Sequence, residues 1–148
     1  MRNQHVEKIG KQISILYRQI QKYINRKMQP YGLTYSDHAF LMHISKNPGI
    51  NQRQLAQFLT IDEAVVTRVL KKLDEGGFVQ RVRDPEDMRS FCLYLTPQGR
   101  QLIPALLKTF KELDQMLAGG FDVTELTTLC SGLEKMTGNA CIANKEEN

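Results

Sequence analysis

The chain has 148 residues, with 20 Lys and Arg against 16 Asp and Glu, a formal net charge of +4 and 41% hydrophobic residues. That length suits one compact unit with appendages, and the composition excludes a collagen, a disulfide-stapled miniprotein and a wholly disordered chain. The longest apolar run is Phe91 to Leu95, no signal core opens the chain, and Cys92, Cys130 and Cys141 form no CxxC pair, so a soluble cytoplasmic protein with no membrane partner is expected.

Residues 6–28 carry Val6, Ile9, Ile13, Leu16, Tyr17, Ile20 and Ile24 at spacings of three and four, one face of an amphipathic helix. Arg18, Lys22 and Arg26 form a basic row on its flank, and Pro30 with Gly32 ends it. A second helix starts at Thr34, an N-cap with Asp37 three residues on, and is expected to bury Ala39, Phe40, Leu41 and Ile44 before Asn47-Pro48-Gly49. Asn51 caps a third, short helix with Gln54 as capping partner and Leu55, Ala56 and Leu59 inside. After the turn Thr60-Ile61-Asp62 comes a helix over 63–75, with Val66, Val69, Leu70 and Leu73 inward and Arg68, Lys71 and Lys72 outside that stripe. Gly76-Gly77 terminates it, because glycine tolerates the left-handed conformation of a helix C-cap.

The period then changes from 3.6 to about 2. Residues 78–83 and 90–95 read as strands around DPEDMR, a β-hairpin with a charged tip. Thr96-Pro97 opens a long helix carrying Leu102, Ile103, Leu106, Leu107, Phe110, Leu113 and Leu117. Gly119-Gly120 breaks it, Asp122 with Glu125 caps a last helix bearing Leu126, Leu129, Cys130, Leu133 and Met136, and the final ten residues read as a frayed tail. Cys130 is expected as a small core filler.

The charge is uneven. Residues 1–33 hold seven basic groups and one acid, residues 34–100 nine basic and eight acidic, and residues 101–148 four basic and seven acidic. A basic start and an acidic end suit either a nucleic-acid-binding arm or two ends that pack together, within one chain or between two.

The expected architecture is mainly α with a small β-hairpin: a capped helix, a tight turn, a second helix with a basic outer face, and a wing. In such a winged helix-turn-helix the second helix enters the major groove, where Arg68 and Lys71 reach base edges or phosphates, and Arg81, Arg83 and Arg89 lie at the neighbouring minor groove. The full set expected at DNA is Gln52, Glu63, Ala64, Thr67, Arg68, Lys71, Lys72, Arg81, Arg83, Asp87, Arg89 and Ser90. Asp62 and Glu63 open the helix, where acids suit the positive end of the dipole; Glu63 is alternatively an acceptor for cytosine N4.

LAQFLTIDEAVVTRVLKKLDEGGFVQR followed by DPEDMRSFCLYLTPQG resembles the winged helix-turn-helix of the MarR family of bacterial transcriptional regulators. Val66-Thr67-Arg68, Leu73 and Gly77-Phe78-Val79 match its reading helix, and Asp87, Arg89, Leu95, Thr96 and Gly99 match its wing signature; GLTYSDHAFLMHISKNPG fits the helix before the reader. The resemblance implies a homodimer built from an N-terminal helix (residues 1–33) and C-terminal helices (97–148) around a DNA-binding domain (34–96). It further implies a pseudo-palindromic operator, repression, and release by a small ligand or an oxidant. Arg89 would enter the minor groove with Asp87 orienting it. Met88 stands where many members carry a second basic residue.

Tyr31 and Tyr35, at the junction of the first two helices, together with Arg18 and His38, are candidates for an effector cleft suited to an anionic ring; dimer-domain packing is the other reading of these tyrosines. Peroxide sensing through a first-helix cysteine is not expected, because no cysteine precedes residue 92. His38 and His43 are five apart, unlike i, i+4 metal ligands, so no metal or cofactor is expected. No Ser/His/Asp order, Gly-rich phosphate loop or paired-carboxylate cleft points to an enzyme. The competing class is a winged-helix protein–protein interaction module without specific DNA binding, favoured by the near-neutral charge of residues 34–100.

Overall fold

Local hydrogen bonds set the helix boundaries in the computed structural model, which describes residues 5–146. After a 3-10 turn at Val6–Lys8, α1 runs Ile9–Met28 and passes into a second 3-10 turn, Gln29–Tyr31, where Pro30 fits because a first-turn residue needs no N–H partner. Gly32, at φ 69°, turns the chain out of it. The Thr34 N–H and hydroxyl both donate to Asp37 Oδ2, at 2.7 and 3.0 Å, and start α2 at Tyr35–Lys46. Asn51 and Gln54 exchange the reciprocal pair of a capping box at 2.8 and 3.0 Å and start α3, Gln52–Leu59. Thr60, left-handed at φ 54°, closes α3, and α4 follows at Glu63–Glu75.

Two strands form an antiparallel hairpin, β1 at Val79–Arg83 and β2 at Phe91–Leu95, with Val79 opposite Leu95 and Arg83 opposite Phe91. The segment before α3 adds to the free edge of β2: Gly49 N–H donates to the Leu93 carbonyl at 2.8 Å and Leu93 N–H to that of Ile50 at 2.9 Å. α5 runs Pro97–Leu117 through an internal Pro104, and α6 runs Val123–Glu146, opened by the reciprocal Asp122–Glu125 box. This is the mainly α winged helix-turn-helix expected from the pattern, with strand ends shifted by one residue. Residues 139–146 are helical where a frayed tail was expected, because neither glycine nor proline interrupts the run after Gly138. Glu147 and Asn148, the rest of that tail, lie outside the described residues.

The chain divides into two compact units, one ending at Lys111 and the other beginning at Glu112. The core of the first is Phe40, Leu41 and Ile44 of α2, Leu55 of α3, Val66, Leu70 and Leu73 of α4, Val79 and Leu93 of the hairpin, and Leu106 of α5, each 1% exposed or less. Ala39, Leu59 and Val69, expected inside, are half-buried. On α1 only Ile24 and Met28 are buried; Ile9, Ile13, Leu16 and Tyr17 of its expected apolar face are exposed.

The hairpin joins α5 through a tight crossing. Thr96 donates its N–H to the Phe78 carbonyl and its hydroxyl to that of Gly77, and its oxygen accepts from Gly99 N–H at 3.1 Å. A Cβ at Gly99 would lie 2.2 Å from the Phe78 oxygen, a backbone atom with no freedom to move aside. Gly99→Ala is therefore expected to cost about 3 kcal/mol by overpacking, read from urea unfolding midpoints; unchanged stability would show that the crossing relaxes freely.

Candidate nucleic-acid interface

With Val66, Leu70 and Leu73 buried, helical periodicity leaves Glu63, Ala64, Thr67, Arg68, Lys71 and Lys72 of α4 exposed. Asp62 precedes the helix in extended conformation and makes no side-chain cap bond. Gln52, at the start of α3, donates its amide to the Thr67 hydroxyl, which in turn donates to the Glu63 carbonyl at 2.9 Å. That chain ties the two helices of the motif together across their outer face.

The basic residues divide into two groups. Lys72 Nζ lies 2.5 Å from Asp37 Oδ2, whose side chain is buried. Arg81 directs Nε and Nη2 at Asp74 Oδ2, at 3.0 and 2.8 Å, joining β1 to the last turn of α4. Arg83 donates Nη1 to the Met88 carbonyl at 2.5 Å and lies 4.9 Å from the Phe91 ring centroid, which Arg81 also approaches. Among the described residues Lys71 reaches only Glu75, at 3.9 Å between exposed side chains, a contact worth little. Arg68 and the guanidinium of Arg89 are exposed and make no hydrogen bond or ion pair among the described residues.

The tip of the hairpin is shaped by two aspartates. Asp84 Oδ1 accepts from Glu86 N–H at 2.9 Å, and Asp87 Oδ1 accepts from Arg89 N–H at 3.0 Å. The Asp87 carbonyl takes Ser90 N–H, and the Ser90 carbonyl takes Asp84 N–H. Asp87 thus acts on Arg89 through its backbone, and half-buried Ser90 contributes its main chain to the turn. Sequence spacing shows the Asp-x-Arg pattern; it does not show Asp74 and Asp37 as partners of Arg81 and Lys72, because those pairs join different elements.

The four candidate effector residues have different neighbours. Arg18 is exposed on α1 and unpaired among the described residues. Tyr35 meets the Tyr17 ring edge-on at 5.8 Å, and burial, with Tyr17 adding to it, raises its hydroxyl pKa. Tyr31 lines a cleft of about 370 Å³ with Phe78, Gln98 and Leu102. His38, 6% exposed, stacks on Phe110 at 3.7 Å, and its Nε2 has no hydrogen-bond partner. Burial lowers the His38 pKa to about 4 against an opposing hydrogen bond to the Leu106 carbonyl.

Among the described residues no three His, Cys, Asp or Glu stand together as a metal site, and no helix is long and apolar enough to cross a membrane. Cys130 is exposed on α6, where a core filler was expected, since the apolar positions of that helix are themselves largely uncovered in the single chain.

Comparison with known proteins agrees with this geometry. A family model described as MarR family matches residues 33–91. The crystal structure of a MarR transcriptional regulator from Methanosarcina mazei is 38% identical, covers 93% of this chain and 99% of its own, and superposes with a TM-score of 0.85. The HTH-type transcriptional regulator YybA of Bacillus subtilis is 27% identical over 88% of this chain and 87% of its own length. A MarR-family regulator of Listeria monocytogenes, solved with a 26mer DNA, shares the fold with a TM-score of 0.83 at 24% identity, over 94% of this chain and 89% of its own.

The buried imidazole has a consequence in solution. Between its ordinary pKa of 6.5 and about 4 the unfolded chain binds a proton at His38 that the folded chain refuses. Stability is therefore full above pH 6.5 and falls as pH drops through that window. Urea midpoints at pH 7 and pH 4.5 are expected to differ less in His38→Phe than in the parent chain; an equal drop in both would assign the acid sensitivity elsewhere.

Proposed function

Because the chain belongs to the MarR family of transcriptional regulators, we propose that it acts as a cytoplasmic homodimer that represses transcription by binding a pseudo-palindromic operator. In this reading α4 lies in the major groove of each half-site and the β1–β2 wing lies at the adjacent minor groove. The observation that carries it is the outer face of α4: a helix fully buried on one side presents Thr67, Arg68 and Lys71 to solvent, with unpaired Arg89 at the end of the hairpin beside it. Arg68 and Lys71 supply base or phosphate contacts, Glu63 accepts from cytosine N4, and Ala64 and Thr67 pack on the base edges with Gln52 behind them. Asp87 and Ser90 hold Arg89 for the minor groove.

Dimerisation is supported by apolar side chains that single-chain folding leaves in water. Ile9, Ile13, Leu16 and Tyr17 are exposed on α1, and Leu129, Leu133, Met136 and Ile142 on α6. Exposed apolar rows on each of these helices are the kind of surface that marks an interaction. The internal pairs Asp37–Lys72 and Asp74–Arg81 each remove one acid and one base, so residues 34–100 stay near neutral; the DNA reading is supported by the placement of Arg68 and Arg89, which face outward. The Listeria regulator bound to a 26mer DNA has this fold and supports the DNA reading.

Release by a small aromatic acid or phenol is supported by the cleft that Tyr31 lines with Phe78, Gln98 and Leu102. An electrophoretic shift with the gene's own upstream DNA tests the whole reading. Arg68→Ala and Arg89→Ala are each expected to weaken binding by about 1–3 kcal/mol, and added salicylate to release the duplex from the parent chain. Variants that shift the duplex like the parent would place the reading surface elsewhere, and indifference to any phenolic acid would remove the effector.

A further inference from the structure

We infer that Asp37 is a positioning residue for the DNA-reading helix and that Lys72 is its counter-ion, not a phosphate contact. The inference rests on the DNA-binding reading above. The Asp37 side chain is 2% exposed, and its Oδ2 receives three donors: Thr34 N–H at 2.7 Å, the Thr34 hydroxyl at 3.0 Å and Lys72 Nζ at 2.5 Å. Two of these donors are neutral groups at the start of α2, so among the described residues the only full positive charge on this carboxylate comes from α4, 35 residues further along the chain. Removing the cation would leave a buried, uncompensated carboxylate, which destabilises the packed arrangement.

The placement matters for what α4 presents. The stripe of Val66, Leu70 and Leu73 sets which side of the helix meets the core, and a bond from a residue off that stripe to a buried acceptor restrains the roll that remains. Lys72 lies off that stripe, in the last turn, and its bond to α2 fixes the roll of the helix; the Gln52–Thr67 bond does the same near the other end. Arg68 and Lys71, four and one residues before Lys72, take their direction from that roll. An ammonium group already neutralised by Asp37 also releases no counterion on meeting DNA, so Lys72 adds nothing to the salt dependence of binding.

This separates three roles experimentally. A phosphate contact weakens all DNA uniformly and lowers the salt slope by about 1 when removed. Loss of folded protein weakens operator and scrambled duplex by one common factor. A positioning residue lowers the preference for operator over scrambled duplex and leaves the slope unchanged. Fluorescence anisotropy is measured with the upstream operator duplex and a scrambled duplex of equal length across ~50–200 mM salt, for the parent chain, Asp37→Asn, Lys72→Met, Lys72→Arg and Lys71→Ala. The operator-to-scrambled ratio is expected to fall about tenfold in Asp37→Asn and Lys72→Met with the parent slope retained. Lys72→Arg should recover most of it, and Lys71→Ala should lower the slope. A slope reduced in Lys72→Met as in Lys71→Ala, or a parent-like ratio in Asp37→Asn, overturns the inference. A parent chain that binds neither duplex instead overturns the DNA reading; amide exchange then still tests the pair, since Asp37→Asn must speed exchange in the last turn of α4, and unchanged exchange overturns it.

Discussion

The rotational phase of α4 governs the rest of the molecule. Val66, Leu70 and Leu73 are completely buried against a core supplied by α2, α3 and the hairpin. A helix with 3.6 residues per turn then has no choice about its other side, and Thr67, Arg68 and Lys71 face solvent. The elements packed around it contribute the side chains that fix this phase: Phe40, Leu41 and Ile44 from α2, Leu55 from α3, Val79 and Leu93 from the strands. The surface chemistry of the protein is thus a consequence of its interior.

Charge is organised by the same interior. A net charge of +4 describes the chain poorly, because several cations are internal struts. Lys72 braces α4 to α2, Arg81 braces β1 to α4, and Arg83 folds over Phe91 to hold the Met88 carbonyl at the hairpin tip. On α4 and the hairpin, the cations not used in this way are Arg68, Lys71 and Arg89, set on a frame that those pairs stiffen. A modest number of free cations suits a protein that discriminates sequences, since phosphate charge adds affinity without information.

Much of this was legible in the sequence, and the legible part is local. Reciprocal capping pairs three residues apart, Thr34–Asp37, Asn51–Gln54 and Asp122–Glu125, all form as the spacing predicts. The apolar stripe of α4 and its glycine terminator delimit the helix at residues 63–75. The wing signature ending in Gly99 acquires its reason only in three dimensions, where the Phe78 carbonyl occupies the space of a Cβ. The partners of Lys72, Arg81 and His38 were not legible, because each joins side chains from different elements and no spacing rule reports such distances. Cys130 was misread for a related reason: periodicity shows which face of α6 is apolar but not whether one chain can cover it.

The central claim is that the outward face of α4 reads base sequence in two symmetric half-sites. Selection of bound duplexes from a random pool, run with the parent chain and with Arg68→Ala, tests it most directly. The account predicts an enriched motif with two-fold symmetry and half-sites about 10 bp apart, and loss of preference at one position in each half-site for the variant. No enriched motif, or the same motif from both proteins, would contradict it.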